Sequence, residues 1–292
     1  MRISGRVRRT WVMVATGAVV ACTASAAHAQ SIPVVNHGFE ANFAAPNSFP
    51  VLIPAGWQLF DPGTIVEFSV DAVGVLNPTN STYFPAGAPE GSNVALIYLD
   101  GDRGTTPVGL QQTVDAVLES GATYTLAVQV GNIASGVGAP PFDFFFDLDG
   151  FPGYAVQLLA GGEVIAEDHN SMGVGAARIP EGEFRLSTVT FTPEAGHPRV
   201  GQALGVRLMN LNMIDAPQNP GIEVDFDDVQ LTVTRCGADF NADGSLDPDD
   251  LGDYINCYFG VPSCDGADFN ADGSVDPDDL GDFINAYFAG CA

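Results

Sequence analysis

One stretch of this chain is written twice. Residues 238–259 (ADFNADGSLDPDDLGDYINCYF) and 267–288 (ADFNADGSVDPDDLGDFINAYF) agree at 19 of 22 positions with an offset of 29. Each copy opens Asp-x-Asn-x-Asp-Gly and has another Asp at the twelfth place, the oxygen spacing of an EF-hand calcium loop. In the first copy that spacing selects Asp239, Asn241, Asp243 and Asp250, with Ser245 acting through its carbonyl and Asp247 through water. In the second it selects Asp268, Asn270, Asp272 and Asp279, with Ser274 and Asp276 in the same minor roles. Gly244 and Gly273 occupy the sixth place, where the chain turns sharply. From residue 236 onward there are 13 aspartates and no basic residue, so bound cations are needed to offset the crowding. Calcium suits such a site because it is hard and takes six to eight oxygens, whereas magnesium resists losing its water. Two calcium ions are therefore expected here.

A helix is expected after each loop. Asp247 can cap the first, Pro248 fits the first helical position, and Asp249 and Asp250 lie where the helix dipole favours negative charge. Leu251, Tyr254, Ile255, Tyr258 and Phe259 recur at spacings of three and four, and Leu280, Phe283, Ile284, Tyr287 and Phe288 repeat the pattern.

The cysteines fit an oxidising compartment. Beyond Cys22 there are four, at 236, 257, 264 and 291, an even number crowded into one small segment. Three pairings are possible; Cys257 with Cys264 closes a short loop, and Cys236 with Cys291 clasps the ends. Zinc competes, but no CxxC pair and no nearby histidine supports it. At the other end, arginines at 2, 6, 8 and 9 precede an apolar run at 11–21 and Ala27-His28-Ala29. That is the layout of a secretory signal over residues 1–29. Arg8-Arg9 leaves twin-arginine export open, and Cys22 leaves lipoprotein processing open. No later stretch is long and apolar enough to span a bilayer. The expected location is secreted or cell-surface attached.

After residue 29 six arginines and no lysine face 36 acids, a net charge of −30. Such a surface repels phosphate backbones, which excludes a nucleic-acid partner. Between the leader and the repeat, 64–70, 93–99, 122–130, 154–160, 186–192, 204–209 and 222–233 are short segments rich in β-branched and aromatic residues, separated by Gly, Pro, Asn or Asp. They predict an antiparallel β-sandwich over 30–234, followed by a small α-helical module at 235–292. In IEVDFDDVQLTV the apolar positions change phase after Asp227-Asp228, which predicts a bulge. Residues 140–154 read either as a strand, with Phe142, Phe144, Phe146 and Leu148 on one face, or as a ligand-contacting stretch.

Two resemblances follow. The duplicated loop and helix of 236–292 resembles the dockerin module, in the cysteine-bearing form found at the ends of exported bacterial proteins. This implies docking to a cohesin-like or surface-anchoring partner. Pro248-Asp249 and Pro277-Asp278 stand where cellulosomal dockerins carry small or hydroxyl residues, and neither helix has a basic residue. Asn36-His37-Gly38-Phe39-Glu40, Gly56-Trp57, Gly91-Ser92-Asn93-Val94-Ala95, Tyr124-Thr125-Leu126 and Asp225-Phe226-Asp227-Asp228-Val229 look like galactose-binding-like jelly rolls of carbohydrate-binding modules. That likeness implies a structural calcium held by Glu40 and Asp227, with Asp228 as the alternative to Asp227, and a polysaccharide ligand. Stacking on a sugar would fall to Trp57, Phe145, Phe151 and Tyr154, although the Gly-Trp context favours a core role for Trp57.

No catalytic constellation is apparent: His37, His169 and His197 are isolated, and neither HExxH nor GxSxG occurs. The expected function is a non-catalytic carbohydrate-binding protein docked to a larger assembly. A structural surface protein and a dockerin-borne glycoside hydrolase are the alternatives.

Overall fold

The computed structural model describes residues 29–100, 105–138, 143–194, 196–213, 221–260 and 263–291. The expected leader, Ala29 apart, lies outside the described residues, as does Phe142 of the aromatic stretch. The strands are β1 (Ala29–Ile32), β2 (Gln58–Phe60), β3 (Ala72–Leu76), β4 (Val94–Asp100), β5 (Val108–Val117), β6 (Thr123–Asn132), β7 (Gly136–Val137), β8 (Phe145–Phe146), β9 (Tyr154–Ala160), β10 (Glu163–His169), β11 (Glu183–Phe191), β12 (Ala203–Asn210) and β13 (Gly221–Thr234). One sheet runs β11-β6-β13-β4-β3 with β1 beside β13, and a second runs β10-β9-β12-β5-β2. Every pairing is antiparallel.

Period-two alternation builds the interior. Ala95, Ile97 and Leu99 of β4, Leu126, Val128 and Val130 of β6, and Val224 and Phe226 of β13 share the main core with Val156, Leu158, Val206 and Leu208 of the second sheet. Each such side chain taken from water contributes about 2 kcal/mol before ordering costs are counted. The phase change in β13 is a bulge: Asp227 pairs with Gln129, the next pair is Gln230 with Ala127, and Asp228 takes a φ of 47°. Past the bulge, Val229, Leu231 and Val233 rejoin the core.

Two expected strands are corrected. Residues 64–67 are irregular and 68–70 form a turn, because the Asp61 carboxylate accepts from the Ile65 and Val66 amides and Asp71 accepts from the Glu67 amide. Those side chains take up the N–H groups a sheet ladder would need. Among the described residues before Tyr154, where β9 begins, the aromatic stretch pairs at Phe145–Phe146, with Gly136–Val137, and Phe144 is 53% exposed.

The C-terminal unit has α1 (Pro248–Tyr258) and α2 (Pro277–Ala289), each opened by a capping box, Asp247 with Asp250 and Asp276 with Asp279. Equivalent residues of the two copies meet: Tyr254 and Phe283 stack at 3.9 Å, ringed by Phe240 and Phe269. Cys236 bonds Cys291 and Cys257 bonds Cys264.

The sheets are clasped at one edge by Asp168 of β10. Its carboxylate accepts from the Tyr154 hydroxyl of β9 and the Ser187 hydroxyl of β11, both at 2.6 Å, and from the Ser171 amide. Burial pushes this carboxyl up, but the hydrogen bonds from Ser187, Tyr154 and Ser171 outweigh it and hold it below the usual aspartate value. A depressed carboxyl stabilises the fold above its unfolded pKa, about 3.9, and loses that contribution as pH falls through the folded value. Asp168→Ala should therefore cost about 2 kcal/mol at pH 7. In denaturant titrations the gap from wild type should narrow as pH falls below the unfolded value and through the depressed folded one, by the same linkage.

Candidate functional site

The outer face of the first sheet carries a second, smaller core. Leu76, Val94, Leu96, Ile133 and Leu148 pack there with Tyr83 and Phe84, against Phe49, Tyr98 and Phe146. Register explains the space beneath them. Ala72, Tyr98 and Glu223 lie abreast across β3, β4 and β13, and Gly74, Leu96, Asp225 and Gly131 form the adjoining row. A Cβ at Gly74 would strike the Pro50 carbonyl, so this glycine lets the 50–52 segment lie directly on the sheet.

Between sheet and covering segments is a cavity of about 340 Å³. Its walls include the rings of Phe49, Phe68, Tyr83, Tyr98, Phe144 and Phe146, with Phe146 edge-on to Phe49 at 5.8 Å and tilted against Phe144 at 4.4 Å. The ionisable carboxyls in the lining are Asp71 and Glu223, and no Arg, Lys or His is among the described lining residues.

The chemistry concentrates on β13, where Glu223, Asp225 and Asp227 alternate with the core residues Val224 and Phe226 and are all buried. Burial pushes the Glu223 carboxyl up to about 7, with a hydrogen bond from the Asp225 side pulling the other way. Asp225 is fully buried, no peptide N–H reaches its oxygens, and burial followed by the Glu223 charge holds it well above the usual range. Adjacent carboxyls without a cation keep a proton between them at neutral pH. Burial and then the charges of Asp100, Glu223 and Asp71 push the Tyr98 hydroxyl up to about 12; burial and Glu223 do the same for Tyr83. Both phenols stay protonated and available as donors.

Sequence-derived candidates fall elsewhere. Trp57 packs on Phe39 at 5.3 Å and donates to the Asn36 carbonyl; it is 5% exposed. Phe151 and Tyr154 are likewise in the main core. Stacking on a sugar is corrected at these three positions, because their faces are covered by other side chains. Phe145 is 63% exposed but is absent from the cavity wall.

Glu40 accepts from the Ser92 and Asn93 amides, both at 2.7 Å, and Asp227 accepts from the Glu90 and Asp228 amides. Gly38 and Gly91 leave room for the Glu90 and Glu40 carboxylates. Burial, opposed by its backbone hydrogen bonds and reinforced by the charges of Glu90 and Asp228, pushes Asp227 up to about 8. In the repeat, Asp239 accepts from the Asp243 and Gly244 amides and Asp250 from the Asn241 and Asp247 amides; Asp268 and Asp279 repeat this. Among the described residues no group of three His, Cys, Asp or Glu side chains is gathered as a ready metal site.

Sequence reasoning missed Glu223, Asp225 and Tyr98. The signal was present in IEVDFDD, three acids on one face of a strand whose other face is apolar.

The family model described as HpiC1-like, HpiC1 cyclase, matches residues 30–232. No curated protein matches the chain. Among solved structures, an apo cyclase from Fischerella sp. is 38% identical, with 70% of this chain and 96% of that one covered and a TM-score of 0.59. The Stig cyclase Fisc from Fischerella sp. TAU, in complex with (3Z)-3-(1-methyl-2-pyrrolidinylidene)-3H-indole, is 39% identical over 71% of this chain and 99% of its own, with a TM-score of 0.59. A cyclase from Fischerella sp. TAU bound to 4-(1H-indol-3-yl)butan-2-one is 39% identical over 70% and 98%, again at 0.59.

These matches overturn the carbohydrate-binding and docking expectation. The sandwich matches a cyclase family, and no dockerin or carbohydrate-binding-module family matches. The dockerin reading rested on the duplicated loop and helix, and of the aromatics offered to a sugar, Trp57, Phe151 and Tyr154 are core.

The raised Glu223 carboxyl has a consequence for stability. A carboxyl whose folded pKa exceeds its unfolded value, about 4.3, leaves stability intact below that value and removes it as pH rises through the folded one. Glu223→Gln should match wild type at pH 4 and melt several degrees higher at pH 8, as read by calorimetry across that range.

Proposed function

We propose, from the premise that this chain belongs to the HpiC1-like cyclase family, that its sandwich closes a ring in an indole-bearing substrate held in the cavity over Glu223. One observation carries the reading: a buried, proton-holding carboxyl faces an aromatic-walled cavity whose described lining has no basic side chain. The indole component is taken from the ligands named for the two related complexes.

The chemistry follows from the parts. Protonated Glu223 gives its proton to a π-system of the substrate, creating a cation. The ring faces of Phe49, Tyr98 and Phe146 stabilise that cation through their quadrupoles, and the carboxylate left on Glu223 adds Coulomb attraction. A second π-bond of the same molecule attacks the cationic carbon, forming the new carbon–carbon bond. Loss of a proton to the Glu223 carboxylate restores the enzyme. Substrate and product are isomers, so the balance needs no co-reactant. The apolar walls of Leu76, Leu96, Ile133 and Leu148 exclude the water that would otherwise trap the cation.

The test is turnover of indole-bearing alkenes, followed as a mass-neutral change by chromatography and NMR. Glu223→Gln should lower kcat by roughly 100-fold or more, and the wild-type rate should fall as pH rises through about 7. Wild-type turnover by Glu223→Gln would refute the assignment.

Calcium forms a second part of the reading. Asp239, Asn241, Asp243, Ser245, Asp247 and Asp250 would hold one ion and Asp268, Asn270, Asp272, Ser274, Asp276 and Asp279 another. Glu40 and Asp227 would hold a structural ion in the sandwich. The donor set supports this: all ligands are oxygens, and Asp227 is buried beside the charges of Glu90 and Asp228. The sandwich ion would tie the 36–40 and 90–93 segments to β13. Calcium should raise the melting temperature of wild type over chelator, and Glu40→Ala should shrink that rise by several degrees in paired thermal melts. An equal rise in both proteins would remove Glu40 from the site. The two disulfides and the basic-then-apolar N-terminus support export, and the antiparallel sheet pair supports a jelly-roll winding.

A further inference from the structure

The two copies of the repeat are almost the same in sequence and in internal bonding, yet they meet different surroundings. In both, the sixth-place glycine is left-handed, with φ of 89° at Gly244 and 91° at Gly273, and its amide donates to the first aspartate of the loop. Nothing lies within 4 Å of a Cβ placed on Gly273. A Cβ placed on Gly244 would collide with the Ser120 hydroxyl and come within 2.9 Å of the Gly121 amide nitrogen. From the opposite side, a Cβ on Gly121 would fall 2.6 Å from the Gly244 Cα and 3.0 Å from the Asp239 carboxylate. Backbone therefore lies against backbone between the first loop and the turn joining β5 to β6. The Ser120 oxygen is sealed in that contact.

The turn is a firm support. Leu118 exchanges hydrogen bonds with the backbone of Gln202 and Gly201, and the Gly121 amide donates to the Pro193 carbonyl. Arg235, the residue before the first module cysteine, donates to both Glu119 oxygens at 2.6 and 2.9 Å and to the Gln30 side chain. The Cys236–Cys291 disulfide then brings the end of the second copy back to the same point.

We infer that the two copies do separate work: the first is an intramolecular anchor whose receptor is the β5–β6 turn, making sandwich and C-terminal unit one body, while the second faces solvent. Glycine on both sides is what permits the contact, and a side chain on either would hold the surfaces apart.

Hydrogen exchange on the full chain separates the two copies. Gly244→Ala and Gly273→Ala impose matching backbone strain, so each serves as the control for the other. Gly244→Ala should speed exchange of the 118–123 amides about tenfold or more, and Gly273→Ala should leave those amides at the wild-type rate. Equal acceleration in both variants, or none in Gly244→Ala, overturns the inference. Wild-type calorimetry tests it without any substitution. A single transition is expected, and two separated ones would show that the units are not one body.

Discussion

Carboxyl groups resist leaving water, and β13 buries three of them side by side on one face. Glu223, Asp225 and Asp227 are each under one-tenth exposed, while the intervening Val224 and Phe226 belong to the main core. A strand in this position has to be covered on both faces, so the segments around 44–52, 78–90 and 144–148 are required parts of the fold. The acids then separate by surroundings. At one end, Asp227 is held by peptide N–H groups. At the other, Glu223 opens onto aromatic rings, with the Asp225 carboxyl buried behind it. One alternating pentad thus places its carboxyls in two unlike surroundings.

Much of the architecture could be read from the chain because it is locally encoded. The bulge at Asp227-Asp228 follows from a change of phase, and the caps of α1 and α2 follow from Asp247-Pro248 and Asp276-Pro277, where every partner lies within a few residues. The cysteines are near neighbours or segment ends, and of the three pairings the sequence allowed, the structure forms Cys236–Cys291 with Cys257–Cys264. The site was not legible in the same way. Alternation says that one face of β13 is polar, and polar faces ordinarily meet water. That this one is roofed depends on segments more than 70 residues away in sequence. Tyr98 and Glu223 become neighbours only through strand register. Phe151 and Tyr154 misled for a related reason, since an aromatic bounded by glycine or proline looks the same in sequence whether it is covered or not, whereas the core role favoured for Trp57 is the one it has.

The residues of the 64–70 segment illustrate the competition behind the wrong strand. Thr64, Ile65, Val66 and Phe68 favour extended structure, but Asp61 and Asp71 offer nearby carboxylates to the backbone, and the local bonds prevail. The result serves the site, because Phe68 and Val70 are freed from a sheet to border the cavity.

Gly74 gives the cavity an unusual division of labour. Because the 50–52 backbone rests on the sheet at this point, the floor is fixed by main chain, and the shape above it is drawn by side chains on the covering segments. The buried carboxyls reside on β13; contour resides on Phe49, Phe68, Phe144 and Phe146. The two inheritances are separable: drift in the covering segments can redraw the shape of the cavity, generation after generation, while the carboxyls of β13 stay where they are.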